Sequence, residues 1–256
     1  MISALEKEIT LRYLKTRKKD GFLNIISIFS FIGISLGVAV LIIVMSVMNG
    51  FRSELINKIV GFNAHVTVKP YETSINLEKL NSENLKLISK ELILSNSGEA
   101  IVISKNYTKG LILRGYSREN FLKLDVVKKG NLIGKSNQLT KNSISIGKEL
   151  SFNLDLSVGD KVSIMSPVSI ETIIGSLPRQ ETFIIRSIFD SGLADFDANI
   201  AFINLETLEN FFSLKKEKRN LEIYLNNPSN IEEEKNKIQQ IFKNEFIYSW
   251  SDMNSS

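Results

Sequence analysis

The sequence predicts an α+β protein with one N-terminal transmembrane helix, followed by an exterior β-α-β-β…β-α-β-α-β domain that contains an inserted all-β subdomain. Three observations lead to this class. A charge-free apolar run extends from Leu23 to Phe51. Helical and strand periodicities alternate on both sides of residues 117–190. Within that central stretch, short apolar segments are separated by glycine turns, as is typical of strands.

Composition excludes several classes of protein. The 256 residues include 43% apolar residues, enough for a core, so wholesale disorder is excluded. The absence of cysteine excludes disulfides and thiolate chemistry. Of the net charge of +4, most comes from the first 49 residues. Because a nucleic-acid binder normally has a basic domain, nucleic acid is excluded as a partner.

Residues 1–21 are predicted to be a cytoplasmic amphipathic segment, and residues 22–50 a transmembrane helix. Leu23–Met48 would be about 39 Å long as a helix, against about 30 Å of hydrocarbon. The run is too long for the apolar region of a cleaved signal peptide. Basic residues are concentrated before it, so the N-terminus is predicted to be cytoplasmic and residues after about 50 are predicted to lie outside. A solvated, partly helical tail is the alternative for residues 3–16.

Small residues mark one face of the predicted helix. Ser30, Gly33 and Gly37 lie at i, i+3 and i+7, which allows close approach of a second helix. Glycine is also common in transmembrane helices without such a role. We interpret the three residues as a helix-packing face that requires a partner helix.

The outer parts of the exterior domain, residues 51–116 and 191–256, alternate strands with amphipathic helices. Strands are predicted at residues 65–69, 100–106, 110–116, 200–203, 221–225 and 246–250, and helices at residues 77–92, 204–212 and 228–242. In the inserted part, residues 117–190, the clearest strands are residues 143–146, 161–165 and 181–188.

The loop of residues 166–180 between the last two of these strands is unusually apolar. It is too long for a hairpin turn and holds five aliphatic side chains between two prolines. Apolar residues on a projecting loop need a partner surface, and proline reduces the entropy lost on docking. The alternative is that the loop folds back over its own subdomain.

No catalytic, metal or cofactor site is predicted. Gly130–Ser136 has three residues between its two glycines instead of the four of a phosphate-binding loop. His65 has no nucleophile motif around it, and Asp190, Asp195 and Asp197 do not have EF-hand spacing. Glu232–Glu234 lie in a first helical turn, where the helix dipole favours acids. We therefore expect no enzymatic activity and no cofactor.

Several segments resemble the lipoprotein-releasing ABC transporter permeases of the LolC/LolE family. They are Ile9–Leu14, Gly33–Ala39, Met45–Phe51, Gly61–Val66, Ile146–Leu150, Val158–Val162 and Gly175–Phe183, and the match continues through Trp250, Asp252 and Asn254. The Met-Ser-Val-Met-Asn-Gly-Phe segment is specific, whereas the Val-Gly-Asp turn is not.

The resemblance implies a Gram-negative inner-membrane permease with a porter-like periplasmic domain. It implies as partners a cytoplasmic ABC ATPase, a second permease subunit in a homo- or heterodimer, lipoprotein cargo and a periplasmic LolA-type carrier. In the LolC branch a protruding hook captures the carrier. The corresponding docking residues in this sequence are Ile173, Ile174, Gly175, Ser176, Leu177, Pro178 and Arg179.

The chain departs from the family in length. Family members have three further transmembrane helices beyond the last matching segment, so we expect this sequence to be a fragment or a truncated product. Two alternatives remain: a sister mechanotransmitting permease that exports a small molecule or peptide, and a single-pass periplasmic adaptor.

Overall fold

The structure is a computed structural model that describes residues 4–14, 21–71, 74–104, 107–129, 132–134, 139–172 and 175–253. The chain forms two compact units, Met1–Ile56 and Asn57–Ser256.

The first unit is helical. It holds α1 (Ala4–Leu14) and most of α2 (Gly21–Phe62). In the described part of the chain, Ile25–Phe62 is the single helix long and apolar enough to cross a membrane. The side chains from Ile25 to Phe51 are exposed. The helix runs without a break past the predicted end of the span at residue 50.

The second unit alternates strands and helices in the predicted outer order. Its first elements are β1 (Val66–Lys69), α3 (Glu83–Ile88), β2 (Ser89–Ser104), β3 (Tyr107–Tyr116), α4 (Arg118–Lys123), α5 (Asp125–Lys128), β4 (Leu132–Gly134), β5 (Ser143–Gly147) and α6 (Lys148–Leu154). Then follow β6 (Lys161–Thr172), β7 (Gly175–Phe189), α7 (Ala194–Asn199), β8 (Ile200–Asn204), α8 (Leu205–Phe212), β9 (Asn220–Leu225), α9 (Ile231–Ile241), β10 (Phe246–Ser249) and α10 (Trp250–Met253). Short 3-10 turns occupy Leu77–Asn81, Lys216–Lys218 and Pro228–Asn230.

Six strands close into a ring of backbone pairings. β2 pairs with β3, β3 with β8, β8 with β5, β5 with β7, β7 with β6, and β6 returns to β2. The β3–β8 and β5–β7 pairs are parallel and the other four antiparallel. Beyond β2, the sheet continues through β9 and β1 to β10. The ring therefore joins strands of the inserted stretch to strands of the outer parts.

Five of the ring strands contribute two buried apolar side chains each to one core, and β7 contributes three; most alternate along their strand, as expected for a pleated strand. They are Ala100, Val102, Leu111, Leu113, Ile144, Ile146, Val162, Ile164, Phe183, Ile185, Ile188, Ala201 and Ile203. Side chains from α6 and α8 complete this core. A second core contains Phe62, Phe189 and Phe202, with the Phe189 and Phe202 rings 4.8 Å apart. A third lies between β1, β9 and α9.

Two details of the predicted elements are wrong. The helix predicted to reach Leu92 ends at Ile88, because Leu92, Ile93 and Leu94 alternate between two cores in β2. The stretch 117–190 is not all-β, since it contains the short helices α4, α5 and α6. Ser117 begins α4 by accepting a hydrogen bond from the Asn120 backbone N–H at 3.2 Å, a local helix cap.

Candidate functional site

The apolar segment of residues 166–180 is a hairpin arm built from the outer parts of β6 and β7. Its strands pair antiparallel from Ser169 opposite Pro178 to Thr172 opposite Gly175. The prediction of an irregular loop is therefore wrong, although the segment does lie between the predicted strands. The positions of Ile173 and Ile174 at the tip fall outside the described residues.

A bulge explains why the sequence does not reveal the hairpin. The register of β6 against β7 shifts between Met165 and Ser169, a stretch that contains Pro167. Proline cannot donate a ladder hydrogen bond and is tolerated at such irregularities. The Ser166 hydroxyl accepts the Val168 backbone N–H at 3.1 Å, and Ser166 itself is buried.

Of the predicted docking residues, those that the structure describes lie on the returning strand of the arm. Gly175 has φ +118°, a backbone conformation that favours glycine, and Ser176 pairs with Glu171. Leu177 is 46% exposed and Pro178 is exposed as well. On the opposite strand, Val168 is 58% exposed. The arm thus presents apolar side chains to solvent at several positions.

Arg179 differs from the other docking residues because its guanidinium is already bonded. Its Nη1 atom donates to the carbonyl oxygens of Asn210 and Phe211, the latter at 3.3 Å. These carbonyls belong to the last turn of α8, where a helix leaves acceptors unpaired and the helix dipole favours a cation. Arg179 therefore fixes the base of the arm to α8.

The predicted helix-packing residues Ser30, Gly33 and Gly37 lie in α2. All three are exposed, and a Cβ added at Gly33 or Gly37 would meet no atom within 4 Å. Among the residues of the first unit that the structure describes, none covers this face, and its packing role stays a prediction.

Sequence reasoning missed a buried polar group centred on Glu222. This carboxylate accepts hydrogen bonds from Ser95 Oγ at 2.6 Å, Tyr116 Oη at 3.0 Å and Tyr224 Oη at 3.3 Å. Burial and the Glu222 charge raise the pKa of both tyrosines well above the usual value, so both remain donors. In the sequence, Glu222 is a polar residue in a strand of alternating polar and apolar residues. Such a residue would normally be predicted to face solvent.

Two further contacts attach the end of α2 to the sheet. The Arg114 guanidinium donates to Asn63 Oδ1 at 2.7 Å and lies over the Phe62 ring, 5.4 Å from its centroid. His65 Nδ1 accepts the Leu225 backbone N–H at 2.8 Å. Burial lowers the pKa of His65 to about 4, opposed by a hydrogen bond with the Val60 backbone. His65 is accordingly neutral at pH 7 and structural, as the sequence suggested.

The acidic residues after β7 form local contacts. Asp197 accepts the Ser191 backbone N–H at 2.9 Å, and Asp190 pairs with Lys148 at 2.9 Å. Among the described residues no group of three or more potential metal ligands lies together, at Asp190, Asp195 and Asp197 or elsewhere.

Comparison with known proteins gives consistent matches. A model of the MacB-like periplasmic core domain matches residues 27–241. The lipoprotein-releasing system transmembrane protein LolC of Neisseria meningitidis serogroup B is 30% identical over 242 residues, covering 89% of this chain and 56% of that protein. LolC of Xylella fastidiosa (strain Temecula1) is 28% identical over 215 residues, which cover 82% of this chain and 51% of that protein.

The matches include a LolE protein. The lipoprotein-releasing system transmembrane protein LolE of Haemophilus influenzae is 30% identical over 168 residues, covering 61% of this chain and 39% of that protein. The chain spans about half the length of the curated LolC relatives that it matches. Among solved structures, the periplasmic region of MacB from Actinobacillus actinomycetemcomitans has a TM-score of 0.46 at 9% identity, covering 78% of this chain and 94% of that one.

Proposed function

Since the chain belongs to the family with the MacB-like periplasmic core domain, we propose that it acts as a permease subunit of an ABC transporter that releases lipoproteins from the bacterial inner membrane. The similarity to LolC proteins over 82–89% of the chain carries this proposal. ATP hydrolysis belongs to a separate cytoplasmic ATPase subunit. This chain transmits motion and contributes to the lipoprotein entry.

The topology follows from the charges and from α2. Residues 1–21 lie on the cytoplasmic side, residues 22–50 cross the inner membrane, and the following residues are periplasmic. Residues 51–116 and 191–256 form the porter-like part, and residues 117–190 form the insertion that carries the arm. The face of Ser30, Gly33 and Gly37 packs on other helices of the permease pair, whether that pair is a homo- or a heterodimer.

The arm docks a periplasmic LolA-type carrier, which takes the lipoprotein. The exposed Leu177 and Val168, together with Pro178, support this assignment, because apolar side chains on a paired and anchored hairpin are pre-organised for burial against a partner. Arg179 serves docking through its bonds to the α8 carbonyls, which hold the arm at its base.

Binding of the detergent-solubilised chain to a purified LolA-type carrier tests the proposal. Leu177→Asp is expected to weaken binding at least tenfold, because a docked leucine loses its burial and a carboxylate must be desolvated. Leu87→Asp is the matched control, since Leu87 is 76% exposed on α3. The affinity of the Leu87→Asp variant for the carrier should equal that of the unmodified chain.

The outcomes separate the alternatives. Equal affinity of the unmodified chain and Leu177→Asp for the carrier would remove the docking role from this strand of the arm. No carrier binding by a folded chain would favour a sister exporter of a small molecule or peptide, or a LolE-like subunit that contacts cargo instead.

A further inference from the structure

The segment of residues 213–219, which follows α8, is strongly basic, and we call it the basic loop. Its cations are Lys215, Lys216, Lys218 and Arg219, and its one acid is Glu217. Lys215 and Lys216 are exposed. The positive charge of this loop therefore faces solvent.

The last turn of α8 joins the basic loop to the base of the arm. The Asn210 carbonyl oxygen accepts hydrogen bonds from the Arg179 guanidinium of the arm and from the Ser213 backbone N–H, the latter at 3.3 Å. The Glu209 carbonyl oxygen accepts the Leu214 backbone N–H at 2.8 Å. Since one oxygen serves both the arm and the first residue of the basic loop, the two segments lie side by side.

The other end of the basic loop is fixed to the same helical turn. Arg219 Nε and Nη2 donate to the two carboxylate oxygens of Glu209 at 2.6 and 2.8 Å, and Glu209 is 2% exposed. A bidentate pair of this kind has a defined geometry. Lys215 and Lys216 thus lie between two attachments of the loop to α8.

Positive charge is in excess at this end of α8. Glu209 is occupied by Arg219, and Glu206 lies 3.8 Å from Lys216 with both side chains more than half exposed, so that solvent weakens this second pair. Together with Arg179, the basic loop and α8 hold five basic and three acidic side chains.

The basic loop flanks the face of the arm that carries Leu177. Alternate residues of a strand point to the same side, so Leu177 shares a face of β7 with Arg179. The Arg179 guanidinium reaches the end of α8, and Leu177 is 46% exposed. An exposed apolar side chain next to exposed cations resembles the apolar centre and polar rim of a protein–protein interface.

From this arrangement we infer that the basic loop is the cationic rim of the surface on which the arm docks its carrier, and that the carrier presents acidic side chains around the site that receives Leu177. Charges at the rim of an interface mainly accelerate association. The inference rests on the proposed docking of a LolA-type carrier. It adds the charge of the carrier surface and the step, encounter of the two proteins, at which the basic loop acts.

Association and dissociation rates of the detergent-solubilised chain with a purified LolA-type carrier test the inference. Replacing both Lys215 and Lys216 by Glu should slow association about tenfold at low ionic strength and leave the dissociation rate nearly unchanged. The difference should disappear at about 1 M salt, where charges are screened beyond about 3 Å.

A matched charge reversal makes the result specific. The control replaces Lys86 and Lys243 by Glu, which changes the net charge by the same amount. Both lysines are exposed, one on α3 and the other just after α9. The control should associate with the carrier at the rate of the unmodified chain.

Four results would contradict the inference. Association of the unmodified chain that does not slow with salt would do so even if the loop variant misfolds. Equal slowing in the control would mean that only net charge matters. No carrier binding by the folded, unmodified chain would remove the docking proposal as a whole. Binding that Leu177→Asp weakens, at rates that the double replacement of Lys215 and Lys216 does not alter, would overturn the role of the basic loop alone.

Discussion

His65 is the residue where burial has a measurable consequence for stability. Its side chain is 8% exposed, its Nδ1 accepts the Leu225 N–H, and its pKa falls to about 4. An unfolded histidine titrates near 6.5, so above that pH both states are neutral. Between pH 6.5 and pH 4 the unfolded state binds a proton that the folded state does not. The stability contributed by neutral His65 is therefore lost as pH falls through this window.

We expect acidification from pH 7 to pH 4 to cost the folded state up to about 3 kcal/mol through His65. Urea unfolding of the detergent-solubilised chain, followed by Trp250 fluorescence, measures this loss. Trp250 is the single tryptophan, and its backbone N–H donates to the His65 carbonyl at 3.2 Å. His65→Gln removes the titration of the histidine, while carboxylates still titrate. The free energy of unfolding of this variant should therefore fall less steeply between pH 7 and pH 4. An equal dependence of the unfolding free energy on pH in the two proteins would mean that His65 does not cause the loss.

At the scale of elements, the arm is stabilised where β7 meets α8. The sequence gives Arg179 no local partner, and only the fold brings it to the carbonyls of Asn210 and Phe211. At this helix end the Asn210 oxygen also accepts the Ser213 backbone N–H at 3.3 Å, and the Arg179 guanidinium adds a charged donor to it and to the Phe211 oxygen. The outer strand pairs of the arm receive little further support, because Val168, Leu177 and Pro178 are exposed.

Arg179→Ala is therefore expected to loosen the arm without unfolding the domain. Amide hydrogen exchange in residues 175–180 should accelerate about fivefold, since a charge-assisted contact with a helix end contributes about 1 kcal/mol. Exchange in the ring strand β8 should not change. Arg186→Ala, in the same strand at another exposed position, is the control. If amide hydrogen exchange in residues 175–180 were equally fast in the two variants, Arg179 would not be what stabilises the arm.

At the scale of the whole molecule, the ring makes the inserted stretch inseparable from the outer parts of the second unit. Residues 117–190 supply β5, β6 and β7, and residues outside this range supply β2, β3 and β8. Removing the insertion would expose the apolar core that the six strands share and would leave open edges on β2 and β8.

Replacing residues 117–190 with a short glycine-serine linker is thus expected to abolish cooperative unfolding of the second unit. Near-ultraviolet circular dichroism and a thermal melt of the solubilised chain measure this. A variant that carries only Val158→Ser, at an exposed turn position, should melt like the unmodified chain. A cooperative melt of the deletion variant would show instead that the insertion folds separately.

The sequence by itself determined the apolar helix, the order of the outer strands and helices, the absence of catalytic motifs and the family. These depend on local periodicity and on short motifs, and the matches to LolC and LolE proteins confirm the family. The long apolar helix was predictable because a run without charges is a property of neighbouring residues. The docking residues are a prediction from the sequence, which did not reveal their backbone conformation.

Only the tertiary structure decided which distant segments meet. The closed ring, the bulge that turns an apparent loop into a paired arm, and the partners of Arg179, Glu222 and Arg114 all join residues far apart in the chain. A strand pattern specifies which face is apolar but not which strand lies beside it. A polar residue in such a pattern looks the same whether it faces solvent or a buried partner. Pairing and burial are properties of the packed chain, so they became visible only in three dimensions.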